Sequence, residues 1–164
     1  MKAFKYTYSV LIALMISACD ANVKVETDES LKPEEITFNK ELAQKLGADE
    51  YGMRMYVMAF LKEGPNRDLD SAASAELQRA HLDNITRMAD EGKLSVAGPF
   101  AADGNPVRGI YIFNVKSIEE ARALTETDPA IKAGSLEMEL REWYSSAAIQ
   151  LVYENHKTIA ENDI

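Results

Sequence analysis

The most regular signal along the chain is the alternation in SLEMELREW, residues 135–143. There Leu136, Met138 and Leu140 interleave with Glu137, Glu139 and Arg141. A period of two with one polar side predicts a β-strand with a wet face or an edge position. Two other stretches keep the period but are apolar at both parities. MRMYVMAFL, from Met53, offers Met55, Val57 and Ala59 to one side and Tyr56, Met58 and Phe60 to the other, and GIYIFNV, residues 109–115, is likewise apolar on both. Such segments predict central strands covered on both faces. KLSVAGPF, residues 93–100, predicts a further strand, and AADGNPV joins it to GIYIFNV as a turn-rich hairpin loop.

Between the first two strands the period changes. Gly64-Pro65-Asn66 breaks the first strand, and polar residues 66–75 predict a loop. From Ser74 to Glu91 the spacing predicts a helix, with Leu77, His81, Ile85 and Met88 on one face and Gly92 in the C′ position. Ser117-Ile118-Glu119-Glu120 is a capping box that opens a second helix, which buries Ala121 and Leu124 and ends before Asp128-Pro129. Phe38, Leu42, Ala43 and Leu46 share one face of a short helix stopped by Gly47, and residues 145–161 predict a terminal helix.

The order of the core elements is β-α-β-β-α-β, the split pattern of ferredoxin-like α+β folds. It predicts an antiparallel four-stranded sheet with both helices on one face and the first and third strands in the middle. Those are the two strands that are apolar on both sides. The helices can cover only one face, so the other needs a partner, and two sheets packed face to face predict a homodimer.

Composition narrows the function classes. With 18 Lys+Arg against 27 Asp+Glu the chain lacks the basic footprint of a nucleic-acid binder. No Gly-rich phosphate loop is present, and no cofactor is expected. The single cysteine excludes an intramolecular disulfide and a multi-thiolate zinc site. Its position is informative. Lys2 and Lys5 precede an apolar run, Val10–Ile16, that ends at Ser17-Ala18-Cys19. This reads as a secretory signal peptide, too short to span a membrane. Ile16-Ser17-Ala18-Cys19 resembles a bacterial lipobox, so Cys19 is the expected lipidation site of an envelope protein facing the periplasm or the cell surface. The expected organisation is a leader over 1–18, an acidic tether and short helix over 19–50, a domain over 51–144 and a helical extension over 145–164.

The candidate chemistry is sparse. His81 lies four residues from both Leu77 and Ile85, facing the sheet, and Asp128 sits in the loop before the last strand. A buried neutral imidazole beside a carboxylate is held in one tautomer and strengthened as a base, yet many such pairs are inert structure. Arg108 and Arg54 are candidates for an anionic substrate group, against ordinary solvated charges. Ser95 and Tyr56 are candidate hydrogen-bond donors flanking a pocket, and Gly98-Pro99 a place of close backbone approach. His156 has no HxH or HxxxH partner, and the seven methionines read as core filler, so no metal site is expected.

From Met53 to Trp143 the chain resembles the YCII-related domain family. The resemblance is carried by MYVMAFLKEGPN, RAHLDNITRMADEGKL, VAGPF with its DG turn, EEARALTETDPAIKAG and LEMELREW. That family belongs to the dimeric α/β-barrel superfamily, which includes muconolactone isomerases and a chlorinated-hydroquinone dehydrochlorinase. The resemblance implies a dimeric barrel in which His81 and Asp128 match the family's candidate catalytic pair. Two readings stay open: a cofactor-independent lyase, isomerase or hydrolase using His81 as base, and a non-catalytic module binding a small molecule or a protein in the envelope.

Overall fold

A computed structural model describes residues 36–101 and 104–162 of the chain. The expected leader, Cys19 and the tether up to residue 35 lie outside the described residues. All the elements below belong to one unit, Phe38–Ile164. The sheet is built on β1 (Met53–Glu63), which pairs antiparallel with β3 (Val107–Phe113) and with β4 (Leu136–Ser146), while β2 (Leu94–Pro99) pairs with β3. The order is β2-β3-β1-β4, so the two strands that are apolar on both sides are the central ones. With helices α2 (Ser71–Asp90) and α3 (Ile118–Thr125) as the two crossovers, this is the expected ferredoxin-like α+β fold.

Parity decides what each strand buries. Val57, Ala59 and Leu61 of β1 meet Tyr111 and Phe113 of β3 in one cluster with Met88 and Ala89 of α2 and Ala121 of α3. Both helices therefore lie on that face. Met88 and Phe113 are fully buried there, each contributing about 1.5–3 kcal/mol from side-chain burial alone. The opposite parity carries Met58, Phe60 and Ile110, all only half-buried. On that face Arg141 stacks over Phe60 and Lys62 pairs with Glu139.

Three boundaries differ from expectation. α2 begins at Ser71 rather than Ser74, because Asp70 caps it by accepting from Ala73 N at 2.9 Å. Once capped, the alanine-rich start propagates readily. The segment after α3 is a second, four-residue helix, α4 (Pro129–Lys132), with Asp128 as its N-cap and Pro129 at its first position. The third difference is at the chain's end. β4 runs on to Ser146, pairing Tyr144 with Met55 and Ser146 with Met53. A 3-10 helix, Ala147–Leu151, follows, and α5 starts only at Val152 and ends at Ile159.

Before the sheet, α1 (Lys40–Lys45) is capped by Asn39, as a short helix over this segment requires. The Leu46 carbonyl behind it accepts from Arg54 Nη1 at 3.0 Å and from Gln150 Nε2 at 2.7 Å. The two ends of the described chain are thereby tied together beside β1. No helix among the described residues is long and apolar enough to cross a membrane.

Candidate active site

His81 is buried because its α2 face turns toward the sheet, and Asp128 is buried because it caps α4 from inside. Asp128 Oδ1 accepts from Ala130 N at 2.8 Å. The same carboxylate meets His81 Nδ1 at 3.0 Å through Oδ1 and 2.8 Å through Oδ2. Asp128 has no solvent exposure and the His81 side chain 9%. With Asp128 ionised, Nδ1 carries the proton and Nε2 keeps its lone pair. The predicted pair is therefore assembled, by an i, i+4 pattern on one helix and a helix cap on another.

Nε2 faces Tyr111, whose hydroxyl lies 3.3 Å away. The phenol and imidazole rings are 6.2 Å apart and nearly parallel, and Phe113 packs edge-on against Tyr111. Burial pushes the Tyr111 hydroxyl well above the ordinary tyrosine range, and the nearby Asp128 carboxylate pushes it further. The hydroxyl is consequently a donor at any physiological pH. Sequence reasoning missed it: GIYIFNV is apolar at both parities, so nothing in it tells that the parity shared by Tyr111 and Phe113 meets the helices, where a tyrosine hydroxyl needs a partner.

Behind the pair, α2 is fastened to the turn that delivers Asp128. Arg87 Nη2 donates to Asn84 Oδ1 at 2.9 Å and to Thr127 Oγ1 at 3.0 Å, while the Thr127 hydroxyl donates to the Leu124 carbonyl at 2.7 Å. These contacts hold residues 125–128 against the helix that carries His81.

His81 and Tyr111 line a cavity of about 450 Å³. Its apolar wall includes Leu61, Leu77, Ile85 and Leu136, and Arg67 and Arg108 contribute charged side chains. The loop after β1 that carries Arg67 is pinned to the start of β4: Asn66 Nδ2 donates to the Ala133 carbonyl at 2.8 Å and Asn66 N to the Gly134 carbonyl at 3.0 Å.

Of the other candidates, Arg108 does line the cavity, and Arg54, Tyr56 and Ser95 do not. Arg54 and Tyr56 have the parity opposite to Val57, so they point away from the helices. Arg54 stacks over Tyr56, and the Tyr56 hydroxyl bonds the carbonyls of Ser146 and Ala147. Ser95 is buried at the β2 irregularity between Leu94 and Val96. Gly98 and Pro99 form part of the cavity wall, but the close approach belongs to their partner: a Cβ on Gly109 would lie 2.5 Å from the Gly98 carbonyl oxygen, whereas one on Gly98 meets nothing within 4 Å. His156 is exposed on α5. Among the described residues no three His, Cys, Asp or Glu side chains gather as a metal site.

Comparison with known proteins matches residues 55–144 to the YCII-related domain. The uncharacterized protein YjpA of Bacillus subtilis (strain 168) is 32% identical over 63 residues, which is 38% of this chain and 71% of that protein. A solved structure, 5-chloro-2-hydroxyhydroquinone dehydrochlorinase (TftG) from Burkholderia phenoliruptrix AC1100 in complex with 2,5-dihydroxybenzoquinone, is 21% identical. It covers 55% of this chain and 93% of its own, with a TM-score of 0.40. The family match takes in both halves of the His81–Asp128 pair and more than half of the chain, and on it the chain belongs to the YCII-related domain family.

Proposed function

We propose that the chain is an enzyme of the bacterial envelope that moves a proton on a small molecule, with His81 as general base and no cofactor in the step. The observation that carries this reading is the position of His81: Nδ1 is held by a fully buried carboxylate while the ring borders a cavity large enough for a substrate. Nε2 takes a proton from a carbon or hydroxyl acid in the cavity. Asp128 keeps the imidazole oriented and stabilises the imidazolium that forms. Tyr111, whose hydroxyl stays protonated, swings its hydrogen bond from Nε2 to the substrate oxygen on which negative charge grows. The reaction class is that of an isomerase, lyase or hydrolase, in keeping with the dehydrochlorinase activity of the structural neighbour named above.

The test is hydrogen–deuterium exchange at an enolisable carbon, followed by NMR with phenylpyruvate as probe. The wild-type chain is expected to accelerate exchange over His81→Asn by roughly a hundredfold or more, the usual range of a positioned base. Equal exchange by the two proteins, both folded, would leave the pocket as the binding site of a non-catalytic module.

Two further parts of the reading concern assembly and location. The half-buried Met58, Phe60 and Ile110 on the face away from the helices support a homodimer packed sheet against sheet. The Ile16-Ser17-Ala18-Cys19 sequence after an apolar run supports lipidation of Cys19 and anchoring in the envelope membrane. Mass spectrometry of the chain expressed in a Gram-negative host reads the second directly, as an N-terminal diacylglyceryl cysteine at Cys19 or its absence.

A further inference from the structure

We propose that Arg67 and Arg108 form a carboxylate-binding subsite at the cavity, and that the ligand of this pocket is a small monocarboxylic acid with an apolar body. The inference rests on the reading of the cavity as the reaction site and concerns what that site accepts. Arg108 stands near the start of β3 and Arg67 in the loop after β1, and both side chains line the cavity. Both lean on one carboxylate. Arg108 donates through Nε at 3.1 Å and through Nη2 to Glu63 Oε1, and Arg67 Nη2 lies 3.5 Å from the same oxygen. Arg67 Nη1 also donates to the Ser135 carbonyl at 3.3 Å.

Two guanidinium groups on one carboxylate leave about one unit of positive charge beside the cavity, in a chain whose net charge is −9. A solvated surface of so acidic a chain has little need to collect arginines around a single acid at the edge of an apolar hole. A ligand anion has that need, because the guanidinium fork matches a carboxylate in two hydrogen bonds. The wall beyond the arginines is apolar at Leu77, Ile85 and Leu136, and would hold a hydrocarbon or aromatic body. His81 borders the same space. A bound acid thus has its charge on the arginines and its body against the wall, with the imidazole available to an acidic hydrogen on that body. The loop carrying Arg67 is preorganised, since Asn66 ties it to Ala133 and Gly134, so little ordering is left to occur on binding.

Glu63 supplies the sharpest test. It holds the arginines in place but also competes with the ligand for them. Calorimetric titration of the full chain with phenylacetate and with its neutral isostere phenylacetamide separates the possibilities. Phenylacetate is expected to bind about tenfold or more tightly than the amide, with the preference shrinking as salt is raised. Arg108→Gln and Arg67→Gln, each checked for fold by circular dichroism, are expected to erase most of that preference. Glu63→Gln is expected to tighten phenylacetate about twofold to fivefold while leaving the amide unchanged. A purely structural Glu63 would give weaker binding or none of this selectivity. Equal affinity for acid and amide, or full retention of the preference in both arginine variants, overturns the subsite. Deuterium exchange on phenylpyruvate is a separate readout. Binding through the arginines without His81-dependent exchange keeps the subsite and removes the base, and the reverse result removes the subsite and keeps the base.

Discussion

Asp128 and His81 are joined at a helix cap: the oxygen that accepts from Ala130 N at 2.8 Å belongs to the carboxylate that holds His81 Nδ1 at 2.8 Å. The cap fixes the carboxylate's orientation, with Oδ1 shared between Ala130 N and Nδ1 and Oδ2 on Nδ1 alone, and because an ionised carboxylate only accepts, the ring proton stays on Nδ1. Asp128→Asn exploits this. Its amide oxygen is expected to stay on Ala130 N, which turns the amide NH2 toward Nδ1 and moves the ring proton to Nε2. Nitrogen-15 chemical shifts of His81 read the change, and proton transfer is expected to fail without much loss of fold. Asp128→Ala removes cap and partner together, with an expected cost of about 2–3 kcal/mol in denaturant unfolding. An Asn variant whose ring proton stays on Nδ1 would overturn this account of the pair.

Close packing under the pocket makes a contrast between two adjacent glycines. A methyl group on Gly109 would sit 2.5 Å from a backbone oxygen that cannot retreat, whereas on Gly98 it enters open space. Gly109→Ala is therefore expected to cost about 1–3 kcal/mol. Gly98→Ala should stay within about 0.5 kcal/mol of wild type. Chemical denaturation of both variants is sufficient, and equal stabilities would contradict the register of β2 against β3.

How far these features could be read in advance differs between fold and site. The strand order followed from parity, because MRMYVMAFL and GIYIFNV are apolar on both sides and LEMELREW is not. His81 is legible from a different period, since a 3.6-residue repeat places it beside Leu77 and Ile85. The pocket's other polar groups carry no such period. Arg67 lies in a loop whose course depends on Asn66 reaching Ala133, a contact 67 residues away in the chain. Tyr56 was misplaced because a strand that is apolar on both sides gives no cue to which parity meets the helices. Only the docking of α2 and α3 decides that. The extent of β4 was likewise tertiary, set by the open pairing positions of Met53, Arg54 and Met55.

The sheet face opposite the helices, where Met58 and Phe60 lie among the charged side chains of β4, gives a prediction about assembly. Phe60 and Met58 sit on it in the central strand, half-buried in a single chain. Replacing Phe60 by Glu places a charge where the second sheet would lie. Light scattering is expected to report a dimer for wild type and a monomer for Phe60→Glu, since a stable interface buries on the order of 1,000 Å² or more. A monomeric wild type would remove the sheet-to-sheet dimer.

Tyr111 predicts behaviour at high pH. Burial and the Asp128 carboxylate raise its folded-state ionisation well above the unfolded tyrosine value of about 10. The folded state therefore holds a proton that the unfolded state releases. Stability is fully present below about pH 10 and falls as pH rises beyond it, by up to about 1.4 kcal/mol per pH unit from this group. Tyr111→Phe removes that component, so its unfolding free energy should decline less steeply in the alkaline range. Parallel alkaline slopes for the two proteins would show the hydroxyl to be solvated.

At acid pH the sign is opposite, and the affected element is α5. Tyr153 donates to Asp90 Oδ1 at 2.9 Å and Lys157 Nζ lies 3.3 Å from the same oxygen, tying α5 to the end of α2. Those contacts, the Tyr153 hydrogen bond foremost, hold Asp90 below the usual carboxylate range. A depressed folded value means that the carboxylate strengthens docking at pH above its unfolded value, about 3.9, and that this is lost as pH falls through the folded value. Amide exchange across Val152–Ile159 is expected to quicken in acid while the buried strand β3 stays protected, because Tyr153 is the only α5 residue packed on the core cluster and it is only partly buried. Tyr153→Phe should quicken exchange across α5 already at neutral pH and flatten its further rise in acid, since Asp90 then lacks its main partner and its folded value moves back toward the unfolded one. If α5 and β3 lose protection together at one pH in both proteins, α5 is an integral part of the cooperative core, and the Asp90 contact does not set its attachment.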